Sequence, residues 1–228
     1  MTTNQSKIEK LISRLCPKGV EFQELGMITK SIKTGLNPRQ NFKLNTADSL
    51  NYYVTVKEMT TGKVKFSDKT DKINDDAIKT IQNRSDLSIN DVLFSGIGTI
   101  GKVALVDIPT NNWNCSESVF IIKPKQEVIL PKFLMYILGS DIAKNQYQSQ
   151  SVGSTLKGVR MSTLASIKIP TPPLVIQEEI VKILNSFTEL EAELEAELEA
   201  ELEARKKQYE HYRSELLTFN NMGGGTMG

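Results

Sequence analysis

Apolar residues recur along this chain with two different periods. Near the start, Ile8, Leu11, Ile12 and Leu15 fall three or four apart, the spacing of one helix face. They predict a short helix over 4–15, ended by Pro17 and Gly19. From residue 20 to about 169 the period shortens. Runs of Val, Ile, Phe and Tyr at 52–56, 92–95, 103–106 and 119–122 predict strands, separated by turn residues at Thr61-Gly62, 96–101, 109–112 and Pro124. A helix is expected over 131–144, with Pro131 suited to its first turn. A polar, Gly- and Ser-bearing loop is expected over 145–161, then a last strand at 167–169 that runs into Pro170, Pro172 and Pro173.

After these prolines the pattern changes again. From 174 to 219 there is neither Gly nor Pro, and strong helix formers dominate. Such a stretch predicts a single rod of roughly 65 Å, too long to fold back into a small core. It must pack on another long helix or stay largely solvated. Within it the tetrapeptide ELEA occurs four times in register, at 189–192, 193–196, 197–200 and 201–204. Leu190, Leu194, Leu198 and Leu202 are therefore four apart, and their stripe drifts about 40° around the helix per repeat. This is not a heptad seam. Glu pairs at i,i+4 repel by about 0.2–0.5 kcal/mol each, and the basic cluster Arg205, Lys206, Lys207 follows directly. In an antiparallel pair, one chain's cluster would approach the other chain's first Glu residues; a plain solvated spacer is the alternative. Each unit adds about 6 Å, close to two DNA base-pair steps. The order of elements predicts an α+β protein. A short N-terminal helix (1–15) precedes a mixed α/β domain (16–173), one long helix (174–219) and a flexible tail (220–228).

Composition narrows the function. Hydrophobic residues make up 39% and charged residues 24% of 228, which excludes wholesale disorder. No apolar run approaches the ~18 residues of a membrane helix. The first ten residues lack the apolar core of a signal peptide, so a cytoplasmic protein is expected. Two cysteines about a hundred residues apart, Cys16 and Cys115, and a lone His211 do not form a zinc site of the usual spacing, and reduced structural thiols are expected. The net charge of +1 hides an asymmetry: residues 1–187 hold 24 Lys and Arg against 17 Asp and Glu, while 189–204 hold eight Glu and no base. A basic part joined to an acidic one points weakly to nucleic acid.

Gly96, Gly98 and Gly101 match the G-x-G-x-x-G dinucleotide fingerprint after a strand, and Glu117 even falls near the place of a ribose-binding acid. The fingerprint requires a helix to open at the third glycine. Lys102-Val-Ala-Leu-Val106 reads as a strand instead, so a turn between antiparallel strands is expected. The chain has no P-loop, no G-x-S-x-G, no metal cluster and no N/D-P-P-Y/F motif of a DNA amino-methyltransferase.

Four stretches together resemble the specificity subunits of type I restriction–modification enzymes. Leu15-Cys-Pro-Lys-Gly-Val-Glu-Phe22 with Leu25-Gly26 resembles the start of such a subunit's target recognition domain. Asp91-Val-Leu-Phe-Ser95 with Gly98-Thr-Ile-Gly-Lys-Val103 resembles its central strand–turn–strand. Gly153-Ser-Thr155 and Ile167-Lys-Ile-Pro-Thr-Pro-Pro-Leu174 resemble its closing loop and exit. Gln177-Glu-Glu-Ile-Val-Lys-Ile-Leu184 with Phe187, then Arg205-Lys-Lys-Gln-Tyr-Glu-His-Tyr-Arg213 and Leu216-Leu-Thr-Phe219, resembles its spacer helix. Family members usually carry two recognition domains and two spacer helices; this chain has one of each and resembles a half-subunit.

The resemblance implies a DNA-reading chain that catalyses nothing and binds no cofactor itself. S-adenosylmethionine would sit in separate methyltransferase (modification) subunits, and ATP in restriction subunits. A half-subunit would form a homodimer through its helix and read a split inverted repeat, with repeat number tied to half-site spacing. Double-stranded DNA should be met by loop cations and amides. The candidates are Arg39, Gln40, Asn41, Lys43, Lys63, Lys65, Asn112, Asn114, Lys157 and Arg160. Trp113 reads more readily as core than as a wedge. The helix contacts, to a second copy or to a partner subunit, are expected at Ile180, Ile183, Leu184, Phe187, Leu190, Leu194, Leu198 and Leu202. The competing readings are a dimeric repressor with a helical stalk, a structural coiled coil, and an enzyme that uses the glycine turn for a nucleotide.

Overall fold

A computed structural model of the chain describes residues 6–39, 41–149 and 158–218. Local chemistry sets the first element. Ser6 caps α1 (Lys7–Leu15): its hydroxyl accepts from the Glu9 N–H at 3.2 Å and the Glu9 carboxylate accepts from the Ser6 N–H at 2.7 Å. This reciprocal pair satisfies two donors that a helix start leaves open, so the helix begins three residues later than expected. β1 (Phe22–Glu24), β2 (Thr29–Thr34), β3 (Asn51–Val54), β4 (Met59–Thr60), β5 (Lys63–Val64) and β6 (Lys72–Ile73) follow, then α2 (Asp75–Ser85). Next come β7 (Val92–Ser95), β8 (Val103–Leu105), β9 (Trp113–Cys115) and β10 (Val119–Pro124), then α3 (Pro131–Leu138), α4 (Asp141–Ser149), α5 (Met161–Ala165), β11 (Lys168–Pro170) and α6 (Leu174–Leu217).

Four strands form an antiparallel sheet in the order β2-β10-β7-β8. Its two central strands are buried along almost their whole length because both faces are covered. Val92 and Phe94 of β7, with Phe120 and Ile122 of β10, enter a core shared with Phe133, Leu134 and Leu138 of α3. Leu93 of β7, with Val119 and Ile121 of β10, enters a second core with Val54, Trp113 and Cys115. Successive side chains thus feed opposite cores, as a pleated strand requires. A three-stranded sheet, β6-β3-β9, pairs β3 with β9 in parallel and carries α2 through Ala77 and Ile81. β1 pairs with β11, which ties residues 22–24 to 168–170 across the length of the domain.

The fold class and the runs at 52–56, 92–95, 103–106, 119–122 and 167–169 appear as strands with small shifts of boundary. Two helical readings need correction. The helix expected over 131–144 breaks at Gly139, where a Cβ would lie 3.1 Å from Val103. A separate helix, α4, then starts at Asp141 and runs on through 145–149, which was expected as loop, because Ala143 and Tyr147, four apart, are buried in the first core. Helix α2 was not anticipated, although Asn74 caps it and Ala77, Ile81 and Ser85 are its buried stripe. The Gly153-Ser-Thr155 stretch, Phe219 and the 220–228 tail lie outside the described residues.

The chain divides into two compact units, Met1–Val181 and Lys182–Gly228. The first turns of α6 belong to the first unit. There the Gln177 side chain accepts from Leu130 N–H at 2.9 Å and donates to Val128 and Pro172 carbonyls at 2.9 and 2.8 Å. Lys7 pairs with Glu179 at 2.7 Å. In the second unit the helix continues with Leu190, Leu194, Leu198 and Leu202 between 55% and 61% exposed. Arg205 pairs with Glu201 at 3.2 Å and Lys207 with Glu203 at 2.8 Å. Among the described residues no helix is long and apolar enough to cross a membrane.

Candidate nucleic-acid interface

Strand direction gathers several loops at one end of the four-stranded sheet. Thr34 pairs with Phe120, Ser95 with Val119 and Phe94 with Val103, so β2 and β7 end where β8 and β10 begin. The parallel pairing of Val54 with Cys115 brings the ends of β3 and β9 to the same place, where Ser116 N–H donates to Val54 O at 2.8 Å. Residues 35–39, 55–58, 96–102 and 116–118 all leave from here. Gly96 N–H donates to Ser118 O, Val159 N–H donates to Gly96 O, and Ile97 bridges Gly158, which adds 158–160 to the group.

These loops carry Arg39, Lys57, Lys102 and Arg160. All four are exposed, and none forms an ion pair among the described residues. Lys102 only approaches the Val56 carbonyl, at 3.4 Å. The opposite end of the sheet differs. There Lys123 lies 3.2 Å from the buried Asp91 carboxylate and 3.8 Å from Asp86; Lys33, nearer the gathered end of β2, reaches back along the sheet face to within 3.9 Å of Asp86. Burial raises the Asp91 carboxyl above its ordinary value, against the opposing pull of Ser88 and Lys123. At that end Lys123 is held by carboxylates, whereas at the gathered end none of the four cations meets a carboxylate among the described residues.

The glycines at the first end have separate tasks. A Cβ on Gly96 would lie 2.2 Å from the Phe120 ring, and one on Gly101 would lie 2.3 Å from the Tyr147 hydroxyl. Gly98 has open space but φ +79°, which favours glycine. The spacing thus serves a hairpin between β7 and β8, with no helix opening after Gly101. Among the described residues no group of three or more His, Cys, Asp and Glu could hold a metal ion. Cys115 is buried, and burial pushes its thiol up, as suits an inert core group.

The residues singled out by sequence fall in different places. Arg39 and Arg160 belong to the gathered end. Asn41 and Lys43 are exposed farther along the loop after β2, where they line a shallow pocket with Asn74 and Thr80 at the start of α2. Lys63 and Lys65 are exposed on and just after β5, whose hairpin rests on β8 through Gly62 and Ala104. Asn112 is exposed at the other end of β9. Asn114 must be corrected: it is 0% exposed, accepts from the Ser85 hydroxyl at 3.0 Å and donates to Gln82 at 2.8 Å. It fastens α2 to β9 and is out of reach of DNA. Trp113 is likewise core, its indole N–H donating to Pro109 O at 2.7 Å. Gln40 and Lys157 lie outside the described residues. Of the helix positions, Ile180 packs on the chain's own first core, Leu184 is half-buried, and Ile183 and Phe187 are exposed. Lys57 and Lys102 were missed; Lys102 directly follows the glycine run, where a reading of the segment as strand and turn hid its exposure.

Comparison with known proteins bears on this arrangement. A family described as the type I restriction modification DNA specificity domain matches residues 17–204. A putative type I restriction enzyme MjaX specificity subunit of Methanocaldococcus jannaschii is 29% identical over 181 residues, 76% of this chain and 40% of that one. A putative specificity subunit of Haemophilus influenzae, S.HindORF215P, is 52% identical over 130 residues, 57% of this chain and 32% of that one. The chain therefore spans two fifths or less of these relatives. The type I restriction–modification S subunit of M. genitalium has a similar fold, with a TM-score of 0.52 at 20% identity over 89% of this chain and 47% of that one.

Proposed function

The chain belongs to the type I restriction modification DNA specificity family, and from that membership we propose that it reads double-stranded DNA as the specificity component of such a system. The observation that carries the reading is the gathering of Arg39, Lys57, Lys102 and Arg160 at one end of the sheet, all exposed and without ion pairs among the described residues. Phosphates would be met by these cations, and base edges by the amides and arginines of the same loops.

In this proposal the chain catalyses nothing and binds no cofactor. S-adenosylmethionine and methyl transfer belong to partner methyltransferase subunits, and ATP-driven cleavage to partner restriction subunits. Two copies would associate through α6, whose leucines at 190, 194, 198 and 202 are more than half exposed. A two-fold dimer presents two identical reading surfaces, so its target is an inverted repeat split by an unread spacer.

The test combines the purified chain, its cognate modification subunit and S-adenosylmethionine, and maps methylated adenines on genomic DNA at single-base resolution. Methylation at a symmetric split repeat is expected. An asymmetric split site would overturn the homodimer while keeping the reading role. An assembled complex that methylates nothing would overturn the role and favour the repressor.

A further inference from the structure

The loop that leaves β2 is fixed to the body of the protein at three successive residues. Gly35 lies against the end of β9 so closely that a Cβ would fall 1.6 Å from the Cys115 carbonyl oxygen. The next residue, Leu36, accepts a hydrogen bond on its carbonyl from the Tyr53 hydroxyl at 2.6 Å. Asn37 then donates its side-chain amide to the Glu117 carboxylate, in the turn between β9 and β10. The chain turns at once: Asn41 and Phe42 N–H groups both donate to Pro38 O, at 2.6 and 3.0 Å, and the Asn41 side chain donates to Asn37 O at 2.9 Å. Phe42 closes the far side, edge-on to the Tyr53 ring at 5.6 Å between centroids.

Arg39 stands in this turn, directly after Pro38, whose ring fixes its own φ. It is exposed, and no side-chain hydrogen bond or ion pair holds it among the described residues. Glu117 forms no ion pair among the described residues either, and its carboxylate accepts instead from the neutral Asn37 amide. An arginine between residues pinned at 35–38 and 41–42, with no partner on its guanidinium among the described residues, is prepared for a planar acceptor pair. In the major groove that pair is the O6 and N7 of guanine.

We propose that Arg39 reads a guanine edge and that Asn37 and Glu117 are positioning residues, a clamp that holds the Arg39 turn in its reading geometry. The proposal rests on the DNA-reading role above and names one base class and one residue for it. A reading side chain needs its support fixed to about half an ångström, and a clamp on the neighbouring strand turn supplies that without touching DNA.

The experiment uses the full chain and a pool of randomised duplexes, with three readouts: the enriched motif, affinity for random-sequence duplex, and thermal stability. Arg39→Ala should lose its preference for guanine at one position by about tenfold or more. Glu117→Ala and Asn37→Ala should lose preference at that same position, with random-sequence affinity unchanged. Glu117→Gln keeps an oxygen that can accept from Asn37 and should keep the preference. A clamp serving the fold alone would lower thermal stability and weaken all sequences together, and that outcome overturns the proposal. So does a Glu117→Ala or Asn37→Ala chain that enriches the wild-type motif unchanged. A wild-type chain that enriches no motif would instead overturn the DNA-reading role itself.

Discussion

In the globular unit, Phe94 is fully buried between strands and helices, and Leu93 beside it fills a second core on the other face of the same sheet. In the long helix, Leu190, Leu194, Leu198 and Leu202 are as apolar as either, yet more than half of each stays exposed. The two regions have similar access to apolar residues and use them differently. Long-range pairing lets the first bury both faces of a strand. The second is held by local helix propensity and i,i+4 contacts, which bury little. A stretch whose helicity is local can be lengthened in four-residue units without disturbing a core. A stretch whose strands are paired across the chain cannot.

The contrast can be broken in three ways. Phe94→Ala should cost about 3–5 kcal/mol in urea denaturation, the range for a truncated core aromatic, whereas Leu198→Ala should shift the stability of the dilute chain by about 0.5 kcal/mol or less. A loss at Leu198 as large as at Phe94 would mean that the helix stripe is already buried against another surface. Asn114→Ala should cost about 1–3 kcal/mol, because Ser85 and Gln82 lose their buried partner, while exposed Asn112→Ala should fall within about 0.5 kcal/mol. Equal effects at the two positions would undo the assignment of Asn114 to the core. The smallest effect concerns the acidic repeat. Replacing Glu195 and Glu199 by Gln should stabilise the helix by about 0.2–0.5 kcal/mol per relieved pair at low salt, and the gain should vanish at high salt. Circular dichroism melts measure this; a gain that ignores salt would show that the glutamates do not repel one another.

Several features were legible without coordinates because their cause is local. The proline stop at 170–173 and the Gly-free run after it each depend on residues within a few positions; the Ser6–Glu9 capping pair is equally local, but the helix start was placed at residue 4 without it. The strand at 92–95 and the turn after it were legible for the same reason. Helix α2 was missed because its stripe is short and polar residues crowd it, so only β9 and the Asn114 hydrogen bonds make its inner face clear. The close approach of Val103 to Gly139, which leaves little room for a side chain there, was hidden because it comes from a distant strand. The candidate site divided in the same way. Residue type marked Arg39 and Arg160 as loop cations, but it equally marked Asn114, which α2 covers on the face of β9 opposite Trp113.

The sequence by itself determined the elements whose hydrogen bonds and packing close within a turn or two, above all the 44-residue helix and its repeat. It also determined the short runs of β-branched and aromatic residues that make β7 and β10 strands. Only the tertiary structure decided which loops share one end of the sheet, which cations remain unpaired there, and which polar side chains are used up in the core. Those outcomes depend on strand order and register between residues far apart in sequence, and loop composition carries no record of that pairing.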